Sequence, residues 1–187
     1  MTARFQIIAT PLAGLMCVQR QRTEDVRGFF SRFFCAEDLR EAGFYLPIAQ
    51  INQTLTRRRG SVRGLHYQRP PHGEVKFVSC LGGEVLDVAV DIRQGSPTFL
   101  QWHAQRLSAE NGRSLLIPQG FAHGFQALSD DAELLYLHSA PYRAGAEGAL
   151  NLLDPRLKIE WPLPLADISE RDSAHPFLDE SFKGLEL

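Results

Sequence analysis

The chain has 187 residues, a formal net charge of −2, 44% hydrophobic and 22% charged residues. That composition is ordinary for a soluble globular protein and the length suits one domain, 1–187, with a sizeable core. The charge balance offers no basic field for nucleic acid, and no apolar run approaches the roughly 20 residues that span a bilayer.

At the N-terminus, Thr2-Ala3-Arg4-Phe5 leads into a short strand-like run rather than the charged-then-apolar layout of a signal peptide. Cys17, Cys35 and Cys80 are unevenly spaced with no CxxC, which reads as buried free thiols in a reducing cytoplasm. Residues 36–42, closed by Gly43, are the best helix candidate. From about 61 to 139 the pattern is β. Residues 84–92 alternate, with Leu86, Val88, Val90 and Ile92 on one face; 98–107 and 133–139 alternate likewise. Gly82-Gly83, Gln94-Gly95-Ser96-Pro97, Asn111-Gly112 and Ser129-Asp130-Asp131 mark the turns between them. Short strands at such intervals predict a mainly β, antiparallel sandwich or barrel with few short helices. Pro155, Pro162, Pro164 and Pro176 break the C-terminal part into turns, which Leu153, Ile159, Trp161 and Phe177 make apolar enough to wrap the sheet.

The chemistry concentrates in Arg63-Gly64-Leu65-His66-Tyr67-Gln68, in Lys76, and in residues 117–125, which contain His123. Strand parity puts His66 with Gly64, opposite Leu65 and Tyr67; Lys76 with Val78 and Cys80; and Tyr136 with Leu134 and His138. One concave face then collects His66, Lys76 and Tyr136. An imidazole base, an ammonium and a phenol suit proton abstraction next to a ketone, with the ammonium on the enolate oxygen. Each has a plainer reading: a structural histidine, a solvated lysine, a core tyrosine, an edge salt bridge for Arg63. A metal site is the chemical competitor, since His66, His72, Glu74 and His123 are ligand types and Pro118-x-Gly120-x-x-His123 resembles the second motif of metal-binding double-stranded β-helices. The first motif of that fold has an HxH pair; here Gln68 stands two residues after His66.

These and other segments together resemble the dTDP-4-dehydrorhamnose 3,5-epimerase family, cupin-like (jelly-roll) enzymes of nucleotide-sugar metabolism. The resemblance runs through Arg27-Gly28-Phe29-Phe30, Gln50-Ile51-Asn52, residues 62–68, Lys76-Phe77-Val78, residues 87–93, Ser96-Pro97-Thr98-Phe99, residues 107–111, residues 117–125, and Asp154-Pro155 to Trp161-Pro162. It implies that His66 is the general base at C3 and C5 of a dTDP-linked 4-keto-6-deoxy sugar, in deoxysugar biosynthesis. Asp172 would be its dyad carboxylate, favouring the protonated imidazole, Lys76 the enolate clamp and Tyr136 the proton donor. His123, Arg27, Arg63, Gln50, Asn52, Glu147 and Arg171 would be substrate-binding positions, with Tyr142 stacking on the base. The family implies no metal and no other cofactor, and a homodimer in which one subunit's N-terminal region completes its partner's sheet and nucleotide site. Departures bear on selectivity: Ser31-Arg32 where a glutamate is usual, Pro141 before Tyr142, His138 beside Tyr136, and a loop at Arg57-Arg58-Arg59-Gly60 one residue longer. A different nucleotide sugar, or inversion at one carbon, stays open. So do a metal-dependent cupin isomerase or dioxygenase and a non-catalytic sugar-binding cupin.

Overall fold

The computed structural model describes residues 4–187; residues 1–3, where the strand-like N-terminal run begins, lie outside them. The chain opens with β1 (Phe5–Ala9) and β2 (Met16–Arg20), then a hairpin of β3 (Arg22–Asp25) and β4 (Gly28–Ser31). Next come α1 (Ala36–Arg40), β5 (Gln50–Thr56), β6 (Val62–Gln68), β7 (Lys76–Gly82) and β8 (Glu84–Asp91). β9 (Trp102–Ser108), β10 (Arg113–Ile117), β11 (Phe121–Ala127), β12 (Ala132–His138), β13 (Glu147–Ala149) and α2 (Glu170–Ser173) complete the order.

Two antiparallel sheets result, β1-β2-β10-β7-β12-β5 and β13-β6-β11-β8-β9, with β3–β4 as a separate ribbon. Period-2 alternation sorts their side chains. Val78, Cys80, Leu115, Ile117, Leu134 and Tyr136 from the first sheet meet Val85, Ala89, Leu107, Phe121, Phe125 and Ala127 from the second in one buried layer. Their neighbours Phe77, Leu116 and Leu137 point to the other side, where Leu39 and Phe44 cover them. The second sheet's outer face, with Leu65, Tyr67, Val88, Val90 and Ile92, is covered by Leu150, Leu157, Ile159, Trp161 and Leu178 of the C-terminal segment. Trp102 and Trp161 each donate an indole N–H to that segment's backbone, at Leu157 O and Leu152 O. Fully burying one such aliphatic side chain is worth about 1.5–3 kcal/mol, so three filled layers hold a fold that has little helix.

The face assigned to Leu86, Val88, Val90 and Ile92 is as the alternation predicts, but the opposite face of β8 is buried as well. The structure corrects three expectations. Residues 98–101 are a turn rather than the start of a strand; Leu100 sits at φ 61°, and the Asp91 carboxylate accepts bonds from Ser96 and Thr98 that fold the segment back. The helix ends at Arg40, with Gly43 at φ 118° in the following turn, and it is tied down by fully buried Leu39. Leu153 and Phe177, expected to wrap the sheet, are exposed. Cys17 and Cys80 are buried free thiols and Cys35 is half-buried. Among the described residues no helix is long and apolar enough to cross a membrane.

Asp91 closes the β8–β9 connection. Burial opposes its ionisation, but bonds from Arg93, Ser96 and Thr98 outweigh that and hold its carboxyl down at about 2. A depressed carboxyl contributes stability above its unfolded value of about 3.9, lost as pH falls from there through the folded value. The thermal midpoint of the protein is therefore expected to drop between about pH 4 and pH 2, and Asp91→Asn to flatten that part of the profile.

Candidate active site

A cleft of about 990 Å³ opens between the sheets. The second sheet brings His66 on β6 and His123 on β11, which are ladder partners. The first brings Lys76 on β7 and both Tyr136 and His138 on β12. β6 and β11 approach so closely here that a Cβ on Gly64 would lie 2.5 Å from Gly124 Cα. Gly64 also has φ 128°, and the ladder register shifts between His123 and Phe125. Glycine is needed on both counts.

The C-terminal segment supplies the carboxylate. Ser169 caps α2 by accepting from the Asp172 backbone N–H, and Asp172, buried, places Oδ1 2.8 Å from His66 Nε2. An ionised carboxylate only accepts, so Nε2 carries the proton and the lone pair is on Nδ1. Burial opposes ionisation of Asp172, but His66, the Gly64 N–H and Ser169 hold its carboxyl below the ordinary value. Here the structure corrects one expectation. Asp172 does favour the imidazolium, yet burial, helped by the nearby Arg171 and Lys76 charges, outweighs it and lowers the His66 pKa. The downward direction favours the neutral imidazole, the form in which a histidine can accept a proton.

Lys76 is buried, donating to His66 O at 3.2 Å and pairing with Glu74 Oε1 at 3.3 Å. Burial pushes the Tyr136 phenol well above its usual range, so it stays protonated at neutral pH. Its hydroxyl has Thr54 Oγ1 at 3.5 Å, and its ring lies between two imidazoles, edge-on to His123 and parallel to His138. A neutral base, an ammonium and a protonated phenol share one cleft, a set that can move a proton off one face of a carbon and onto another.

Three histidine–carboxylate pairs frame this set: His66–Asp172, His123–Asp87 at 2.8 Å and His138–Glu74 at 2.7 Å. Sequence reasoning assigned Asp87 no role and treated Glu74 only as a metal ligand. Asp87 stands at the inward parity of β8 between Val85 and Ala89; a carboxylate at that register was the available signal. His66, His72, Glu74 and His123 do not assemble a metal site: among the described residues no three His, Cys, Asp or Glu side chains gather so as to hold an ion.

Of the expected substrate positions, Asn52, Arg63, His123, Tyr142, Glu147 and Arg171 line the cleft. Arg63 donates to Thr56 Oγ1, while Arg171 donates to Glu147 Oε2 and pairs with the Asp172 carboxylate at 3.7 Å. Glu147 also accepts from the Tyr142 hydroxyl. Gln50 does not line the cleft; it accepts from the Tyr142 backbone N–H and donates to Asn52. Arg27 is not brought to the cleft either. It sits exposed in the β3–β4 turn, paired with Asp25. Arg32 likewise stands outside the cleft lining, whereas Arg57 and Arg58 of the longer loop are within it.

Residues 9–180 match the family described as dTDP-4-dehydrorhamnose 3,5-epimerase. The chain belongs to the dTDP-4-dehydrorhamnose 3,5-epimerase family. The Salmonella typhimurium dTDP-4-dehydrorhamnose 3,5-epimerase is 41% identical over 177 residues, covering 94% of this chain and 96% of that protein. The Streptomyces niveus dTDP-4-dehydrorhamnose 3-epimerase is 37% identical over 171 residues, 91% of this chain and 82% of that one. In structure, the chain is similar to the Legionella pneumophila dTDP-6-deoxy-D-glucose-3,5-epimerase crystallised with dTDP-4-keto-L-rhamnose, with TM-score 0.90, 39% identity, and 98% and 99% of the two chains covered. A 3'-monoepimerase from Streptomyces bikiniensis, crystallised with dTDP-quinovose, matches at TM-score 0.84 and 36% identity over 91% of this chain and 86% of that one. The family therefore includes proteins named for action at both carbons and at one.

Proposed function

We propose that this chain epimerises a dTDP-linked 4-keto-6-deoxyhexose at C3 and C5, one step of deoxysugar biosynthesis, with residues 1–187 acting as one domain. The C4 ketone acidifies both neighbouring carbons. His66 Nδ1 takes the proton from one of them, the electron pair moves onto O4, and the Lys76 ammonium stabilises the resulting enolate. Tyr136 then returns a proton to the opposite face, inverting the centre, and solvent restores the phenol and imidazole. No metal or other cofactor enters these steps. The observation carrying the reading is geometric: the His66–Asp172 dyad at 2.8 Å faces the same cleft as buried Lys76 and buried Tyr136.

The dTDP assignment rests on the ligands named for the relatives. Arg63, Arg171, Asn52, Glu147 and Tyr142 form its proposed cradle. A homodimer accounts for Arg27 and its hairpin: Val26, Phe29 and Phe30 are exposed there, an apolar tip suited to a second copy. Its three free cysteines fit a cytoplasmic protein.

Proton NMR with dTDP-4-keto-6-deoxyglucose in D2O tests the reading: deuterium is expected at C3 and C5, with L-configured product. Exchange at C3 alone would support the monoepimerase alternative, which the two one-carbon relatives favour. No exchange by folded protein would refute both. Tyr136→Phe is expected to retain exchange but to slow inversion by about 10²-fold or more; inversion at the wild-type rate would remove Tyr136 as donor.

A further inference from the structure

Outside the set that moves the proton, Glu74 and His138 are two titratable groups in the cleft wall with no part in the steps above. Glu74, whose side chain is 10% exposed, divides its oxygens: Oε1 faces Lys76 Nζ at 3.3 Å and Oε2 lies 2.7 Å from His138 Nδ1. Burial opposes its charge, but His138 and Lys76 outweigh that and keep it ionised. Nδ1 donates to the ionised Glu74; in the tautomer protonated there alone, Nε2 accepts from Asn52 Nδ2, 3.4 Å away. Asn52 Oδ1 accepts from Gln50 Nε2, and Gln50 Oε1 from the Tyr142 backbone N–H. Every donor in this series meets an acceptor, so an unbroken chain runs from Tyr142 through Gln50, Asn52 and His138 to Glu74 and Lys76. The His138 ring also lies parallel to Tyr136, with centroids 6.0 Å apart at 18°.

We propose that Glu74 and His138 are positioning residues that fix the Lys76 ammonium and the Tyr136 ring relative to one another and tie both to the Tyr142 end of the cleft. The proposal rests on the epimerase reading and names what holds its machinery. A carboxylate fixed only by Lys76 would swing with that flexible side chain; one fixed also by the half-buried His138 imidazole presents the ammonium at a set place. The stack holds the phenol where the enolate clamp leaves the opposite face open. Because the chain begins at Tyr142, nucleotide docking there bears on the reaction centre through bonds rather than by contact.

The test uses the full-length protein, dTDP-4-keto-6-deoxyglucose in D2O, and isothermal titration with dTDP. Glu74→Gln, nearly isosteric, is expected to slow deuterium exchange about tenfold to a hundredfold through a misplaced ammonium, with dTDP affinity within about threefold of wild type. His138→Phe keeps the stack but not the bond to Glu74, and should slow exchange while leaving the ratio of inversion to exchange unchanged. His138→Leu removes both and should lower that ratio as well. Circular dichroism checks folding; should His138→Leu not fold, His138→Gln, which keeps polarity but not the stack, is expected to show the same fall in ratio. Wild-type exchange rates in Glu74→Gln, or equal ratios in the Phe and the stack-free variant, would overturn the proposal while the epimerase reading stands. Absence of exchange in the wild-type protein would overturn the epimerase reading and the positioning role with it.

Discussion

His66→Ala is expected to slow exchange of substrate protons with solvent by about 10²–10⁴-fold, the usual contribution of a positioned general base. dTDP affinity should change little, because the proposed nucleotide contacts come from Arg63, Asn52, Tyr142, Glu147 and Arg171. The reason lies in how the imidazole is held. Asp172 fixes the proton on Nε2 at 2.8 Å and leaves Nδ1 as the basic atom, while burial, Arg171 and Lys76 keep the ring neutral. A histidine pKa lowered from about 6.5 also places the acid limb of the rate profile below that pH. The limb marks where the base is lost to protonation, so activity should persist through pH 6.5 and decline only on further acidification, and His66→Ala should abolish the limb. An unchanged exchange rate in folded His66→Ala protein would remove this residue from the mechanism. A limb well above pH 6.5 would show that Asp172 dominates the imidazole after all.

Gly64→Ala is expected to cost roughly 2–6 kcal/mol of stability, from strain of about 1–3 at a left-handed residue and a similar amount for overpacking. Its Cβ would lie 2.5 Å from Gly124 Cα and 2.9 Å from His123 O, both backbone atoms of β11 that cannot rotate away. With each ~1 kcal/mol worth about 2–4 °C at this chain length, a fall in thermal midpoint of roughly 4–24 °C follows. Gly95→Ala is the control: φ there is 73°, but nothing lies within 4 Å of the added carbon, so only the conformational cost remains. Equal losses in the two variants would show that close approach of β6 and β11 contributes nothing.

Much of this architecture is legible in the sequence because β-strands write their faces in alternation. The parity of Lys76 with Val78 and of Tyr136 with Leu134 puts these side chains on the inward face, where the structure has them. Glu84 to Ile92 likewise divides into Leu86, Val88 and Val90 outward and Val85, Asp87 and Ala89 inward. What alternation does not carry is long-range pairing. Asp172 reaches His66 from 106 positions away on a four-residue helix, and only the family resemblance singled it out. Asp87 went unassigned, and Glu74 was weighed only as a metal ligand, because a carboxylate carries no mark in sequence of the imidazole it will meet. The turn at residues 98–101 misled for a different reason: Asp91 side-chain bonds override the strand propensity of an alternating run.

The proposed base and the proposed donor are carried by different sheets, His66 on β6 of one and Tyr136 on β12 of the other. Packed sheets stand roughly 10 Å apart, a span a sugar ring and two side chains together fill. The apolar layer of Val78, Leu134, Leu115 and Phe125 is therefore a spacer that gauges the thickness of what can sit between proton acceptor and proton donor. Shaving that spacer at Val78, Leu115 or Leu134, none of which lines the cleft, would narrow the jaws. On the proposed mechanism, the hydrophobic core thus sets the gauge within which a centre is inverted.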